Sequence, residues 1–192
     1  MSTKKKQWKT LSKKVVHQNP WFKIVKEKIK KPSGYIGPYY ILKRPQKFVA
    51  IVPVNEKGKL VLIKQFRSTL KKIIWEFPMG GIDKNETALK AAKRELLEET
   101  GLEAENWVNA GEFYVGPGHT DQMGIVFIAE GLKKSKDSFL GKNLEPGEEI
   151  YQKKAFTQEE FEKQTLHGKI KDGPSMTAYY LAKKHLERAK NE

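Results

Sequence analysis

The 192-residue sequence contains no cysteine. That absence excludes a disulfide framework, a thiolate metal site and a thiol nucleophile, and it agrees with a cytoplasmic protein. Acidic residues are scarce, 23 Asp and Glu against 37 Lys and Arg, for a formal net charge of +14. No apolar run approaches the ~18 residues of a membrane helix, so a membrane partner is not expected. The opening MSTKKKQWKT is basic but has no apolar segment behind it, which excludes a secretory leader. What remains is 38% hydrophobic and 31% charged residues. This suits a soluble globular protein with one core and room for a small appendage.

A positive balance favours anionic partners: nucleotides, nucleic acid or acidic lipid surfaces. Lysine is spread through every segment, however. No basic run interleaved with aromatics occurs beyond the N-terminal tail, which argues against a nucleic-acid partner. A small anionic ligand is the expectation.

Three regions can be drawn. Residues 1–12 read as a basic tail. Residues 13–45 read as a small N-terminal β subdomain, with strand-like runs around Phe22, Ile24 and Val25 and at Tyr39–Leu42. Residues 46–192 read as the main body. It opens with FVAIVPV (48–54) and KLVLIKQF (59–66), separated by Asn55–Gly58, which reads as a hairpin. IIWEF (73–77) is a further strand candidate, with Trp75 and Phe77 assigned to the core. A helix follows, with Asn85 as N-cap, Glu86 in its first turn and Gly101 as its stop. Strands are expected at 107–115, 123–129 and 149–156, and a polar loop at 131–147. Thr157 with Glu160 reads as a capping box for a helix to about His167. A last helix runs from Asp172-Gly173-Pro174 to about Arg188. Hairpins alternating with helices predict an α+β or α/β sandwich.

The informative stretch is GGIDKNETALKAAKRELLEETGL (80–102). Glu95, Glu98 and Glu99 share one side of the predicted helix, and such like-charge spacing opposes helix formation by ~0.2–0.5 kcal/mol per pair. Ala88 and Ala92 lie on the same stripe, and Leu89 and Leu96 define a neighbouring, buried one. Carboxylates beside small alanines, without lysine neighbours, suit a hard divalent cation, and Mg²⁺ fits best, with Mn²⁺ as the alternative. The bound ion would remove the repulsion. The full pattern is Gly80, Glu86, Arg94, Glu95, Leu96, Glu98, Glu99, Gly101 and Leu102. A chance match to its seven fixed residues is on the order of 10⁻⁶ over the chain at average usage.

This stretch resembles the signature box of the Nudix hydrolases without a mismatch. NPWFKI, YYILKRP, FVAIVPV, VLIKQFR, WEFPMGGID and FYVGPG extend the resemblance to the ADP-ribose pyrophosphatase and nucleoside diphosphate sugar hydrolase branch, as does Pro117, sixteen residues after Gly101. The resemblance implies an α/β/α sandwich with a mixed sheet plus a small N-terminal antiparallel subdomain, and hydrolysis of a pyrophosphate in a nucleoside-diphosphate-linked small molecule. It implies Glu95 and Glu99 as the main metal ligands, joined by Glu98 and the carbonyl of Met79. Arg94 would orient the glutamates. The catalytic base would come from Glu145, Glu148 or Glu149, with Glu148 preferred for its spacing to Ile150. Arg67 and Arg44 would contact phosphate or ribose, Trp21 or Phe22 would stack on the base, and Pro117 and Gln122 would border the substrate. Because relatives exchange their N-terminal strands, a homodimer is implied. Gln122 is a departure, since many ADP-ribose hydrolases have Glu there. ADP-ribose, GDP-mannose or another nucleotide sugar, and a non-catalytic nucleotide- or RNA-binding role therefore stay open as readings.

Overall fold

The computed structural model describes residues 7–136, 140, 144 and 148–188. The chain divides into two units, one running through Pro45 together with Tyr114–Gln122, the other comprising Gln46–Phe113 and the residues from Met123 onward.

The first unit is an antiparallel sheet of β1 (Lys9–Gln18), β2 (Lys23–Lys30) and β3 (Ile36–Lys43), in that order. Residues 9–12, read above as tail, are therefore strand. The β1–β2 turn is fixed by Asn19, whose Oδ1 accepts the N–H groups of Trp21 and Phe22 at 2.9 Å each. The segment 114–122 is held to β3 by a bond from Leu42 N–H to the His119 carbonyl (2.8 Å) and by a Lys43–Asp121 ion pair (2.6 Å).

In the second unit, β4 (Phe48–Pro53) is buried along its whole length. It lies between β7 (Met79–Gly81), antiparallel, and β9 (Met123–Lys134), parallel. With β8 (Leu102–Tyr114) these form a four-stranded mixed sheet in the order β7-β4-β9-β8. A second sheet has the order β10-β5-β6, built from β5 (Leu60–Arg67), β6 (Lys72–Glu76) and β10 (Ile150–Phe156). The hairpin expected between β4 and β5 is thus not one. The Asn55–Gly58 turn forms, with Asn55 Oδ1 accepting from Lys57 and Lys59, but a single Val54–Leu60 bridge is all that joins the strands. FVAIVP has no polar alternation, the mark of a central strand covered on both faces.

The faces of β4 show the layering. Phe48, Ala50 and Val52 join Phe161 of α2 (Gln158–Leu166) and Ala178, Tyr179, Ala182 and Leu186 of α3 (Gly173–Arg188) in one core cluster. Val49 and Ile51 join Ala91, Ala92 and Leu96 of α1 (Ala88–Thr100) in the other. This is the expected sandwich, with sheet between helical layers. The Thr157–Glu160 capping box is present. The α1 start differs from the prediction: Thr87 is the N-cap, accepting from Lys90 N–H, while Asn85 adopts a left-handed φ of 69°, which asparagine tolerates. Glu86 therefore precedes the helix. Gly101 ends it at φ 67°, as expected. Leu89 is 38% exposed rather than buried, because the inward stripe takes Glu95 and Glu99 along with Ala92 and Leu96. Two strands outrun their predicted bounds. β8 starts directly after Gly101, and β9 continues to Lys134 with largely exposed residues that sequence reads as loop.

Candidate active site

Glu95 and Glu99 stand one turn apart on α1, and both are buried. Carboxylates taken out of water require partners. Glu95 Oε1 accepts from Arg94 at 2.7 Å, and the same guanidinium nitrogen reaches Glu98 Oε2 at 3.0 Å. The other terminal nitrogen bonds the Gly81 carbonyl (2.9 Å) and Glu86 Oε2 (3.1 Å). Glu86 also accepts from Asp83 N–H at 3.2 Å. Arg94 thus ties the loop before α1 to the carboxylates on it. A lysine, with no planar fork, could not do the same.

Glu99 Oε2 accepts from Met79 N–H at 2.9 Å, while its Oε1 is buried with no hydrogen-bond partner. Burial pushes the Glu95 carboxyl up to about 7, against the pull of Arg94. Burial likewise lifts Glu99 well above the usual carboxylate range, and the charges of Glu95 and Glu148 add to that. Gly80 makes the geometry possible. A Cβ at this position would lie 2.1 Å from Glu95 Cδ and Oε1, so only glycine lets the β7 backbone and this carboxylate approach so closely.

The donor set is all oxygen, and one buried carboxylate oxygen is unsatisfied, so these residues fit a hard cation. Among the described residues, no three carboxylate or imidazole side chains would enclose a metal unaided. Mg²⁺ takes one or two carboxylates and completes its shell with waters and phosphate oxygens. Glu95 and Glu99 could hold it, and the N–H of Met79 ties β7 to the second of them. Glu98 turns its Oε2 to Arg94.

Glu148 lies within electrostatic reach of this pair, since its charge raises the carboxyls of Glu95, Glu99 and Glu76. The Glu149 carboxylate turns to the Tyr151 hydroxyl (2.6 Å), on the exposed side of β10. Glu145 lies outside the described residues. Arg67 is engaged within the unit. Its Nε lies 2.8 Å from Glu76 Oε1 and its Nη2 2.5 Å from Oε2, a two-pronged pair with a side chain that is 1% exposed. Burial raises the Glu76 carboxyl above the usual carboxylate range, against the pull of the Arg67 fork. Sequence reading missed Glu76. Its signal was a lone carboxylate between Trp75 and Phe77 in an otherwise apolar strand.

The other expected substrate residues belong to the first unit. Phe22 and Arg44 line a cavity of about 490 Å³ together with Lys23, Lys43 and Asp121. Trp21 is 71% exposed. Pro117 falls in the turn closed by His119 and Thr120 N–H bonds to the Gly116 carbonyl, and Gln122 accepts from Val115 N–H at 3.1 Å through its backbone.

Comparison with known proteins adds to this geometry. The NUDIX domain model matches residues 44–174, and the nucleoside diphosphate sugar hydrolase N-terminal domain model matches residues 8–42. An ADP-ribose pyrophosphatase of Bacillus subtilis is 36% identical over 124 residues, 65% of this chain and 66% of the relative. A methanol dehydrogenase activator of Bacillus methanolicus is 30% identical over 130 residues, 68% of this chain and 70% of the relative. The aligned part thus spans about two thirds of each relative's length. A solved structure of an ADP compounds hydrolase superposes with a TM-score of 0.84 at 19% identity, covering 98% of both chains, a likeness of fold.

Proposed function

The chain belongs to the Nudix family, and from that premise we propose that it is a Mg²⁺-dependent hydrolase that cleaves ADP-ribose to AMP and ribose 5-phosphate. The observation that carries this reading is the buried Glu95–Glu99 pair with its unsatisfied Glu99 oxygen, closed over by Gly80. The similarity to an ADP-ribose pyrophosphatase supports the choice of substrate.

When bound, the Mg²⁺ ion, or Mn²⁺ in its place, neutralises phosphate charge and makes a water more acidic. The chain's own residues do the rest. Glu95 and Glu99 hold the ion, aided by the Met79 carbonyl and Glu98, and Arg94 keeps their carboxylates in place. Glu148 accepts the proton of the attacking water as that oxygen bonds to phosphorus. The bridging P–O bond breaks, its electrons leave with the departing phosphate oxygen, and one water is consumed per AMP and ribose 5-phosphate formed. The Arg67 side chain, retaining a third of its exposure beside Glu76, supplies fixed positive charge near Glu99. Phe22 or Trp21 stacks on the substrate's base, Arg44 contacts phosphate or the terminal ribose, and Pro117 and Gln122 border the substrate. The protein works in the cytoplasm as a homodimer. The fully exposed outer strand β1, with Leu11, Val15 and Val16 uncovered, supports an interchain contact along that edge.

A second reading, hydrolysis of GDP-mannose or another nucleoside diphosphate sugar, is favoured by the N-terminal domain match and by Gln122. A hydrolysis panel with Mg²⁺ separates the two. ADP-ribose turned over faster than every nucleotide sugar supports the first. The reverse order supports the second. No hydrolysis of either class removes both.

A further inference from the structure

Charge is distributed unevenly along the chain. Residues 1–45 hold twelve lysines and Arg44 against Glu27 alone, a net +12 of the total +14. The N-terminal sheet sorts this charge by face. Cross-strand partners point the same way, so Lys9, Ser12, Lys14 and His17 of β1, Ile24, Lys26, Lys28 and Lys30 of β2, and Ile36, Pro38, Tyr40 and Leu42 of β3 share one face. The opposite face holds the buried Val25 and Ile29, the sheet's one acidic strand residue, Glu27, and Lys13, Lys23 and Lys43, the last paired with Asp121.

The first face therefore shows five exposed lysines and no carboxylate. Lys9 stands directly opposite Lys30, and Lys14 opposite Lys26. Like charges so placed destabilise a sheet, and among the described residues none of the five has an ion-pair partner. Along β2 the lysines recur every ~6.7 Å, two residues of extended chain. One exposed ring, Tyr40, sits among these cations, whereas Trp8 and Tyr35 lie on the opposite face beside Tyr39 and Gly37. Lys26 Nζ lies 5.6 Å from the Tyr40 ring, and at the sheet's end Lys31 Nζ lies 4.4 Å from the Trp8 ring and 5.1 Å from that of Tyr35. All three rings are about half exposed.

We propose that this open lysine face of the N-terminal sheet binds single-stranded nucleic acid, with the lysines on successive phosphates and Tyr40 stacking on a base. A regular row of cations with an exposed aromatic ring beside it matches a chain of phosphates bearing flat bases. A second copy of this chain is a poor occupant, since pairing the face with itself would bring two lysine arrays together. A lipid surface fits less well, because the exposed apolar residues of this face, Ile36, Pro38 and Tyr40, offer little area for insertion. The face is assembled across three strands, so no linear basic run reveals it.

The test is fluorescence anisotropy with a labelled twenty-nucleotide oligo-uridine and the full chain, titrated from 50 to 300 mM salt. Five phosphate contacts predict a log–log salt slope of about −3.5, at roughly −0.7 per contact for a single strand. Lys26→Gln, Lys28→Gln and Lys30→Gln together should flatten it by about two, at the same charge per contact. Removing equal charge at Lys169, Lys171 and Lys184 should leave it unchanged. Tyr40→Ala should lower affinity on the order of tenfold with the slope kept. Hydrolysis of ADP-ribose by the β2 triple variant, measured alongside, should equal wild type and reports that the chain is folded. The proposal is overturned by no binding at 50 mM salt, by a slope indifferent to the β2 lysines, by binding to phosphatidylserine vesicles in place of the oligonucleotide, or by the β2 triple variant changing oligomeric state instead of binding.

Discussion

Gly80→Ala isolates the position of one carboxylate from the stability of the fold. Gly80 has no left-handed φ, so alanine suits its backbone. The added Cβ would fall 2.1 Å from Glu95 Cδ and Oε1, against 3.4 Å for ordinary contact. The carboxylate must therefore withdraw by about 1.3 Å, and being the end of a flexible side chain, it can. An off-rotamer Glu95 costs ~0.5–1.5 kcal/mol. The reduced freedom of the unfolded chain returns ~0.4–1 kcal/mol. The net change is within about 1 kcal/mol, a shift in Tm of roughly 2–4 °C. Activity should respond much more, because a 1 Å misplacement of a reacting constellation costs on the order of 10²-fold. The assay pairs thermal melting with Mg²⁺-dependent hydrolysis of ADP-ribose. Wild-type turnover in a folded Gly80→Ala protein would refute the role given to the Gly80–Glu95 approach. A collapse in Tm of 10 °C or more would show that the site's geometry and the fold are not separable in this way.

Other consequences can be checked in parallel. Glu99→Gln should cut turnover by orders of magnitude with the Tm retained or raised, whereas Glu148→Gln should lower turnover and leave Mn²⁺ affinity, read by electron paramagnetic resonance, near wild type. Loss of Mn²⁺ binding in the Glu148 variant would make it a ligand and not the base. In metal-free protein the Glu95 carboxyl, pushed up to about 7, holds its proton more tightly folded than unfolded. Its contribution, ~3 kcal/mol at most, is thus full below the ordinary glutamate range and is lost as pH rises through 7. Tm should fall between pH 5.5 and 8, and added Mg²⁺ should restore more at pH 8 than at pH 5.5; a flat, metal-independent profile would contradict the burial argument. Ser175→Ala leaves the buried Phe77 N–H without its 2.8 Å acceptor and should cost ~1–3 kcal/mol by denaturant titration with activity per folded molecule unchanged.

The helix and its carboxylates were legible because their determinants are local. Gly101 stops the helix by its own φ, and the i, i+4 spacing alone aligns Glu95 with Glu99. What could not be read depends on strand pairing and on backbone turns that residue type alone does not select. The turn at Asn55–Gly58 is visible, but which sheet β5 joins is decided by β10, some ninety residues later. Arg67 looked free to meet a phosphate until β6 brought Glu76 beside it. Asn85 and Thr87 are both good cap residues by type, and the left-handed turn at Asn85 selects Thr87. The lysine face is the same case, since three strands must align before five scattered lysines become one surface.

The most direct measurement of the central claim is Mg²⁺-titrated hydrolysis of ADP-ribose by wild type and Glu99→Gln, with products separated by chromatography. Wild type should give equal amounts of AMP and ribose 5-phosphate, and none after chelation, while the variant should show near-background turnover. Hydrolysis that survives chelation, or that Glu99→Gln leaves intact, would contradict it.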